Sequence, residues 1–171
     1  LSLKYKFKII EDASHAVGSL YKGSRIGNCK YSDICVFSFH PVKIVTTGEG
    51  GSILTNSKNI YNKVSLLRSH GIDKNVKSKT NPWHYDQKSL GYNYRMNEIE
   101  AALGISQLSR LNEFVKKRNE ISEIYKKNLD KKKIKFQHLL SESKSSMHLF
   151  IIRINKKDRK NVYDNLKKNG I

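Results

Sequence analysis

The sequence predicts an α/β layered fold. Strand-length apolar runs alternate with helical patterns along the whole chain. The run Asp33-Ile34-Cys35-Val36-Phe37-Ser38-Phe39 is almost continuously apolar, as in a strand covered on both faces. From Asn97 onward, apolar residues keep a three-four spacing through Val115 and again at Ile121, Ile124 and Tyr125, which predicts one long helix. A chain of 171 residues suits one ordinary domain, or one domain and part of another.

In chain order, Phe7-Lys8-Ile9-Ile10-Glu11-Asp12 reads first as a short strand ending in two carboxylates. Residues 13–20 are mostly small, and Gly18 and Gly23 punctuate the stretch leading to the apolar run. Pro41 cannot donate to a ladder and closes that run. Gly48, Gly50 and Gly51 predict a tight turn into a strand at 52–55. Asn56 or Ser57 caps a helix to about Ser69, with Ile60, Val64 and Leu67 on one face, and Gly71 ends it. Residues 72–90 are polar and too long for an ordinary connection, which predicts a functional loop. After the long helix come strands at 134–136 and 147–154 and a helix at 158–168. The first residue is Leu1, not Met, and the chain stops at Asn169-Gly170-Ile171 just past a helical pattern. Both ends are expected to be cuts within a longer protein.

Composition removes several classes. No apolar run approaches the roughly 18–20 residues that cross a bilayer, and no signal peptide opens the chain. Cys29 and Cys35 lack zinc spacing and read as reduced thiols of a cytoplasmic protein. The six histidines form no HxxxH or HxH pair, so no metal is expected. The net charge is +18, and residues 116–171 carry 17 Lys and Arg against 6 Asp and Glu. Lys outnumbers Arg 26 to 7 and aromatics are not interleaved, which favours a solvated lysine-rich face over a nucleic-acid binder. Lys131-Lys132-Lys133 keeps the basic module as the competing reading.

Few residues could carry chemistry. A carboxylate such as Asp12, at the C-terminal end of a strand, stands where open α/β sheets bind ligands, although a turn-capping Asp occupies the same place. Lys43 follows the apolar strand inside Ser38-Phe39-His40-Pro41-Val42-Lys43. A lysine stripped of water gives up its proton more readily, and the neutral amine is a nucleophile. In a chain of 26 lysines an ordinary loop lysine is the rival reading. The cluster Gly48-Glu49-Gly50-Gly51 has neither the GK[ST] ending of a P-loop nor the GxGxxG order of a dinucleotide site. A Ser38/His40/Asp12 hydrolase lacks its GxSxG elbow.

Taken together, these segments resemble a known family. Glu11-Asp12-Ala13-Ser14-His15-Ala16-Val17-Gly18, the run from Phe37 to Lys43, and Thr46-Thr47-Gly48-Glu49-Gly50-Gly51 occur in the order of the DegT/DnrJ/StrS nucleotide-sugar aminotransferases. Arg68-Ser69-His70-Gly71, Gly91-Tyr92-Asn93-Tyr94-Arg95-Met96 with Glu98, and Ala101-Ala102-Leu103-Gly104 with Gln107-Leu108 extend the likeness. The resemblance runs from about residue 7 to 129 and more weakly to the end. It implies a fold-type I pyridoxal-phosphate transferase, aspartate-aminotransferase-like and truncated. Residues 1–113 would be the C-terminal part of the large mixed-sheet domain, and 114–171 the linking helix and start of the small α/β domain.

The resemblance also implies roles. Lys43 would be the Schiff-base lysine and the acid/base that moves the proton. Asp12 would pair with the pyridine nitrogen, His15 would lie near the ring hydroxyl, and Ser38 would bind the cofactor phosphate. Asn93 would reach the cofactor phosphate of a neighbouring subunit in a homodimer with shared sites, and Arg95 would be structural or near the substrate. Trp83-His84-Tyr85, with the neighbouring motifs, resembles the branch that aminates the C4 ketone of a UDP-linked 4-keto-6-deoxy-N-acetyl hexose in pseudaminic-acid synthesis. That branch implies L-glutamate as donor. The loop 72–90, with Trp83, His84 and Tyr85, could reach the nucleotide or sugar, and an aromatic cluster that pins the loop is the rival reading. A different nucleotide keto sugar is the alternative substrate, and a non-catalytic homologue the alternative class. A dehydratase relative carries His in place of the lysine, and Lys43 argues against it. Family members run to more than twice this length, so the chain alone is expected to be inactive.

Overall fold

The computed structural model describes residues 1–73, 81 and 83–171. The chain begins with a helical turn, α1 (Ser2–Tyr5), then β1 (Ile10–Asp12) and the hairpin β2 (Leu20–Tyr21) and β3 (Ser24–Arg25). β4 (Ile34–Ser38), β5 (Gly51–Leu54) and α2 (Lys58–Arg68) come next. The predicted loop at 72–90 holds a short antiparallel pair, β6 (Ile72–Asp73) and β7 (Asp86–Gln87); residues 74–80 and 82 of it lie outside the described residues. Then come α3 (Glu98–Ser109), α4 (Leu111–Asn128), β8 (Lys135–Phe136), β9 (Ser143–Lys144), β10 (Ile152–Arg153) and α5 (Arg159–Lys168).

The central sheet has the order β1-β4-β5, with β1 parallel and β5 antiparallel to β4. Its mixed character and flanking helices agree with the α/β class. Cys35 of β4 is fully buried, in a cluster with Ala13 and Cys29. Val17, Ile44 and Val45 form a second cluster, and Phe37 packs against both. The expected two-sided burial of β4 holds on the Cys35 face. On the opposite face Val36 is half-buried and lines a hollow with Tyr61 and Val64 of α2 and with Tyr94.

Local chemistry explains the helix starts. The Ser57 side chain accepts the Ile60 N–H and caps α2. Asn97 and Glu100 form a reciprocal capping box on α3, at 2.9 and 3.0 Å. The predicted single long helix is two, because Arg110 leaves helical geometry at φ −99° and ψ 3°. Each half docks on a different surface. A Cβ at Gly104 of α3 would lie 2.9 Å from the Thr47 methyl, whereas Leu111 and Val115 of α4 lie over Gly18.

The predicted strand at 147–154 contracts to Ile152–Arg153. Its first part has its backbone committed to side chains instead of a ladder. Arg118 Nη1 donates to the Met147 and His148 carbonyls at 3.4 and 3.2 Å, and the Asn119 amide donates to Ser145 O at 3.0 Å. Just before it, β9 adds to β2, a pairing absent from the periodic signal because each strand has only two residues.

Gly104→Val should lower stability by about 1–3 kcal/mol through overpacking against Thr47, read as a lower urea midpoint. The Cys35 thiol is pushed up to about 11 by burial first and by Glu11 second. It should therefore resist alkylation at pH 8 in the folded chain and react once urea unfolds it.

Candidate active site

β1 and β4 run parallel, so both release the chain at one edge of the sheet. Asp12 closes β1 opposite Val36, and Ser38 closes β4 two residues further on. The strand separation of ~4.8 Å keeps the two ends neighbours. Beyond Ser38 the chain makes a closed turn. Phe39 N–H donates to Gly50 O at 2.8 Å, and Phe39 O accepts from Thr47 N–H and from the Thr46 hydroxyl, each at 3.0 Å. Lys43 N–H donates to His40 O at 2.9 Å inside this turn. Gly50 adopts φ +145°, and a Cβ there would meet Thr47 Oγ1 and the Met96 methyl. Ile44 and Val45, 5 % and 1 % exposed, anchor the turn directly after Lys43. Lys43 itself is half-buried.

Asp12 is on the open side of this edge. Its Oδ1 accepts the Ser14 N–H at 3.1 Å and the Ser14 hydroxyl at 2.6 Å. These bonds, the hydroxyl first, hold the carboxyl below the usual aspartate range, and the charges of His15 and Lys43 add to them. Oδ2 has no partner among the described residues. Asp12 and His15 line a hollow of about 510 Å³ with Tyr21, Arg25, Tyr31 and His148. Lys43 is outside that lining, yet its charge reaches both Asp12 and His148. The Lys43 amine makes no hydrogen bond or ion pair with another described residue.

The structure thus brings Asp12, His15 and Lys43 together, with Ser38 at the same edge. His15 is exposed and its ring packs on His148, centroids 4.3 Å apart and tilted 53°. Among the described residues the Ser38 hydroxyl accepts one long contact, 3.5 Å from His40 N–H. The other four residues are elsewhere. Asn93 is exposed and forms an isolated bridge with Ser69. Arg95 lines a separate hollow beside α2, with Asn59, Leu66 and Ser69. His84 Nε2 lies 3.1 Å from Asp86 Oδ1, and Tyr85 is exposed. Among the described residues no cluster could hold a metal ion, and no helix is long and apolar enough to cross a membrane.

Sequence reasoning missed His148. It is 133 positions from His15 and sits in an apolar stretch that reads as strand, so only the folded strap of 145–148 reveals it.

Comparison with known proteins identifies the family and the fold. The sequence model of the DegT/DnrJ/EryC1/StrS aminotransferase family matches residues 1–171. A UDP-4-amino-4,6-dideoxy-N-acetyl-beta-L-altrosamine transaminase of Campylobacter jejuni is 44 % identical over 158 residues, covering 89 % of this chain and 39 % of that protein. The structure of Helicobacter pylori PseC, an aminotransferase involved in the biosynthesis of pseudoaminic acid, superposes with TM-score 0.89 at 36 % identity, over 99 % of this chain and 45 % of PseC. The sugar aminotransferase Spr1654 of Streptococcus pneumoniae, in its PLP form, gives TM-score 0.84 at 32 % identity, over 96 % of this chain and 42 % of its own. The chain therefore spans less than half the length of these relatives, and its fold is that part of a fold-type I aminotransferase.

Ser14→Ala should raise the Asp12 titration toward the ordinary aspartate range, followed by carboxyl carbon NMR. Because the folded value is depressed, the stability tied to ionised Asp12 is present above the ordinary value and is lost as pH falls through the folded one. The variant should narrow that acid-side loss.

Proposed function

Because the chain belongs to the DegT/DnrJ/EryC1/StrS aminotransferase family, we propose that its parent protein transfers an amino group to a nucleotide-linked keto sugar with pyridoxal phosphate. The supporting observation is the shared edge. Among the described residues the Lys43 amine has no competing partner and Asp12 Oδ2 has none either, and the Lys43 charge reaches Asp12 and favours its ionised form. That donor set fits the cofactor. Lys43 would hold it covalently, Asp12 would accept the pyridinium N–H through Oδ2, His15 would sit by the ring hydroxyl, and the Ser38 hydroxyl would bind the phosphate. When bound, pyridoxal phosphate supplies an electron sink for a carbanion. The protein's part is to keep the ring nitrogen protonated and to move a proton. An ionised Asp12 does the first, and the Lys43 amine, pinned by buried Ile44 and Val45, does the second.

The names of the relatives narrow the substrate. We assign the C4 ketone of a UDP-linked 4-keto-6-deoxy-N-acetyl hexose as acceptor and L-glutamate as donor. Asn93, exposed and bridged to Ser69, suits a role in the site of a second subunit, so the assembly is assigned as a homodimer with shared sites. Arg95, His84 and Tyr85 are assigned to the substrate side of that interface. We assign residues 1–113 to the C-terminal part of the large domain and 114–171 to the linking helix and the beginning of the small one. Such a substrate and two free thiols go with a cytoplasmic enzyme.

Incubation with pyridoxal phosphate followed by borohydride should fix a pyridoxyl mass on the Lys43 peptide well above the other 25 lysines. Lys43→Arg should abolish the label, and in the full-length protein should lower turnover by about 10²–10⁴ or more. Even labelling of all lysines, unchanged by Lys43→Arg, would sink the reading.

A further inference from the structure

Lys43 is held from both sides, and the two sides are built differently. After it, Ile44 and Val45 are buried. Before it, residues 40–42 are exposed, Val42 at 63 %, so packing fixes them little. Hydrogen bonds that converge on His40 hold that stretch instead. The His40 N–H makes the long 3.5 Å contact to Ser38 Oγ, and the His40 carbonyl accepts the Lys43 N–H at 2.9 Å. The ring Nδ1 accepts the Val42 N–H at 3.3 Å. Among the described residues, Pro41 and Val42 make no other hydrogen bond.

The ring bond is the unusual one. Pro41 has no N–H and disfavours helical geometry at the residue before it. The next N–H along the chain is that of Val42, two residues past His40. A side chain that takes the N–H two positions on normally belongs to Asp, Asn, Ser or Thr. Here an imidazole does so, and this use places its proton. An accepting Nδ1 is bare, so a neutral ring carries its proton on Nε2. Glu49, on the far arm of the same turn, presents Oε1 3.8 Å from Nε2. That is an ion-pair distance rather than a hydrogen bond, and the negative charge favours a proton on Nε2.

We propose that His40 is a positioning residue for Lys43. In its Nε2–H tautomer, Nδ1 accepts the Val42 N–H and closes the turn that sets where the Lys43 amine projects at the Asp12 edge. The use of that amine rests on the aminotransferase reading; the turn itself does not.

The test compares the wild-type chain with His40→Asn, whose side-chain carbonyl can take the Val42 N–H, and with His40→Phe, which keeps a ring and has no acceptor. The first readout needs no cofactor. Imidazole ¹⁵N NMR, with His40 assigned by through-bond correlation, is expected to show the Nε2–H tautomer. Val42 amide exchange is expected to be about tenfold faster in His40→Phe and near wild type in His40→Asn. The second readout is pyridoxyl labelling of Lys43 with pyridoxal phosphate and borohydride. Labelling should fall about tenfold in His40→Phe and be retained in His40→Asn, with the urea midpoints of both unchanged. An Nδ1–H tautomer, equal exchange and labelling in wild type and His40→Phe, equal loss in both variants, or a loss that only follows the urea midpoint overturns the proposal. The tautomer is read on the wild-type chain and decides the matter should the variants fail to fold. Lys43 labelled in the wild type with an Nδ1–H tautomer at His40 removes this inference and leaves the proposed function. No label at Lys43 in the wild type removes the proposed function, and the tautomer and Val42 exchange still decide the turn.

Discussion

The site depends on one pairing, the parallel alignment of β1 on β4. Side chains alternate along a strand, so a slip of one residue would turn Asp12 to the other face and away from the Lys43 turn. With three residues β1 cannot hold that register by ladder bonds alone. The opposite end of the strand pair supplies the lock. Asp33, just before β4, accepts the Ile9 N–H at 2.9 Å and the Lys8 ammonium at 2.8 Å, while its own N–H donates to Ile9 O at 2.9 Å. Thr55 beyond β5 adds a hydroxyl to Asp33 O at 2.7 Å. An exposed ion pair such as Lys8–Asp33 adds little in water, so the backbone bonds on either side of Asp33 carry the register.

The second half of the chain reaches the site by a different device. The strap at 145–148 has no ladder of its own. It is fastened to α4 through Arg118 and Asn119 and to the first half through Ser19 and Ser146, residues 127 apart. These bonds are mostly buried or half-buried, where a satisfied polar group specifies one arrangement and a broken one is expensive. The lysine-rich exterior of this half plays no such part. Its pairs, such as Lys126–Glu123 and Lys160–Asp164, join helical neighbours at exposed positions.

Legibility in the sequence tracks a physical divide. The strand at 34–38, the capped helices at 58 and 98 and the tight glycine turn depend on near neighbours, and periodicity, caps and Gly positions report them directly. Lys43 and Asp12 stood out as candidates because each sits at or just beyond a strand end, but position alone left an ordinary loop lysine and a turn-capping aspartate as rivals, and their roles came from the family resemblance. The break at Arg110 was not, because an unbroken apolar spacing hides that the first half leans on Thr47 and the second on Gly18. The hairpin β2–β3 and its partner β9 were lost for want of length. His148 was lost because its placement is set by donors on α4 rather than by anything adjacent to it.

Asp12 shows why a single side chain can serve fold and chemistry without conflict. Oδ1 is committed to Ser14, in a turn flanked by buried Ala13 and buried Val17, where Ala16 N–H returns to Ala13 O at 2.8 Å. The same turn presents His15 to the hollow. The bonds to Oδ1 stabilise the ionised form, so the structural role strengthens the charge that a pyridinium partner would need. Oδ2 has no partner among the described residues, at the edge that Lys43 shares. A turn-capping aspartate and a cofactor-binding aspartate, which compete as readings of the sequence, are compatible in one residue, since the turn uses Oδ1 alone among the described residues.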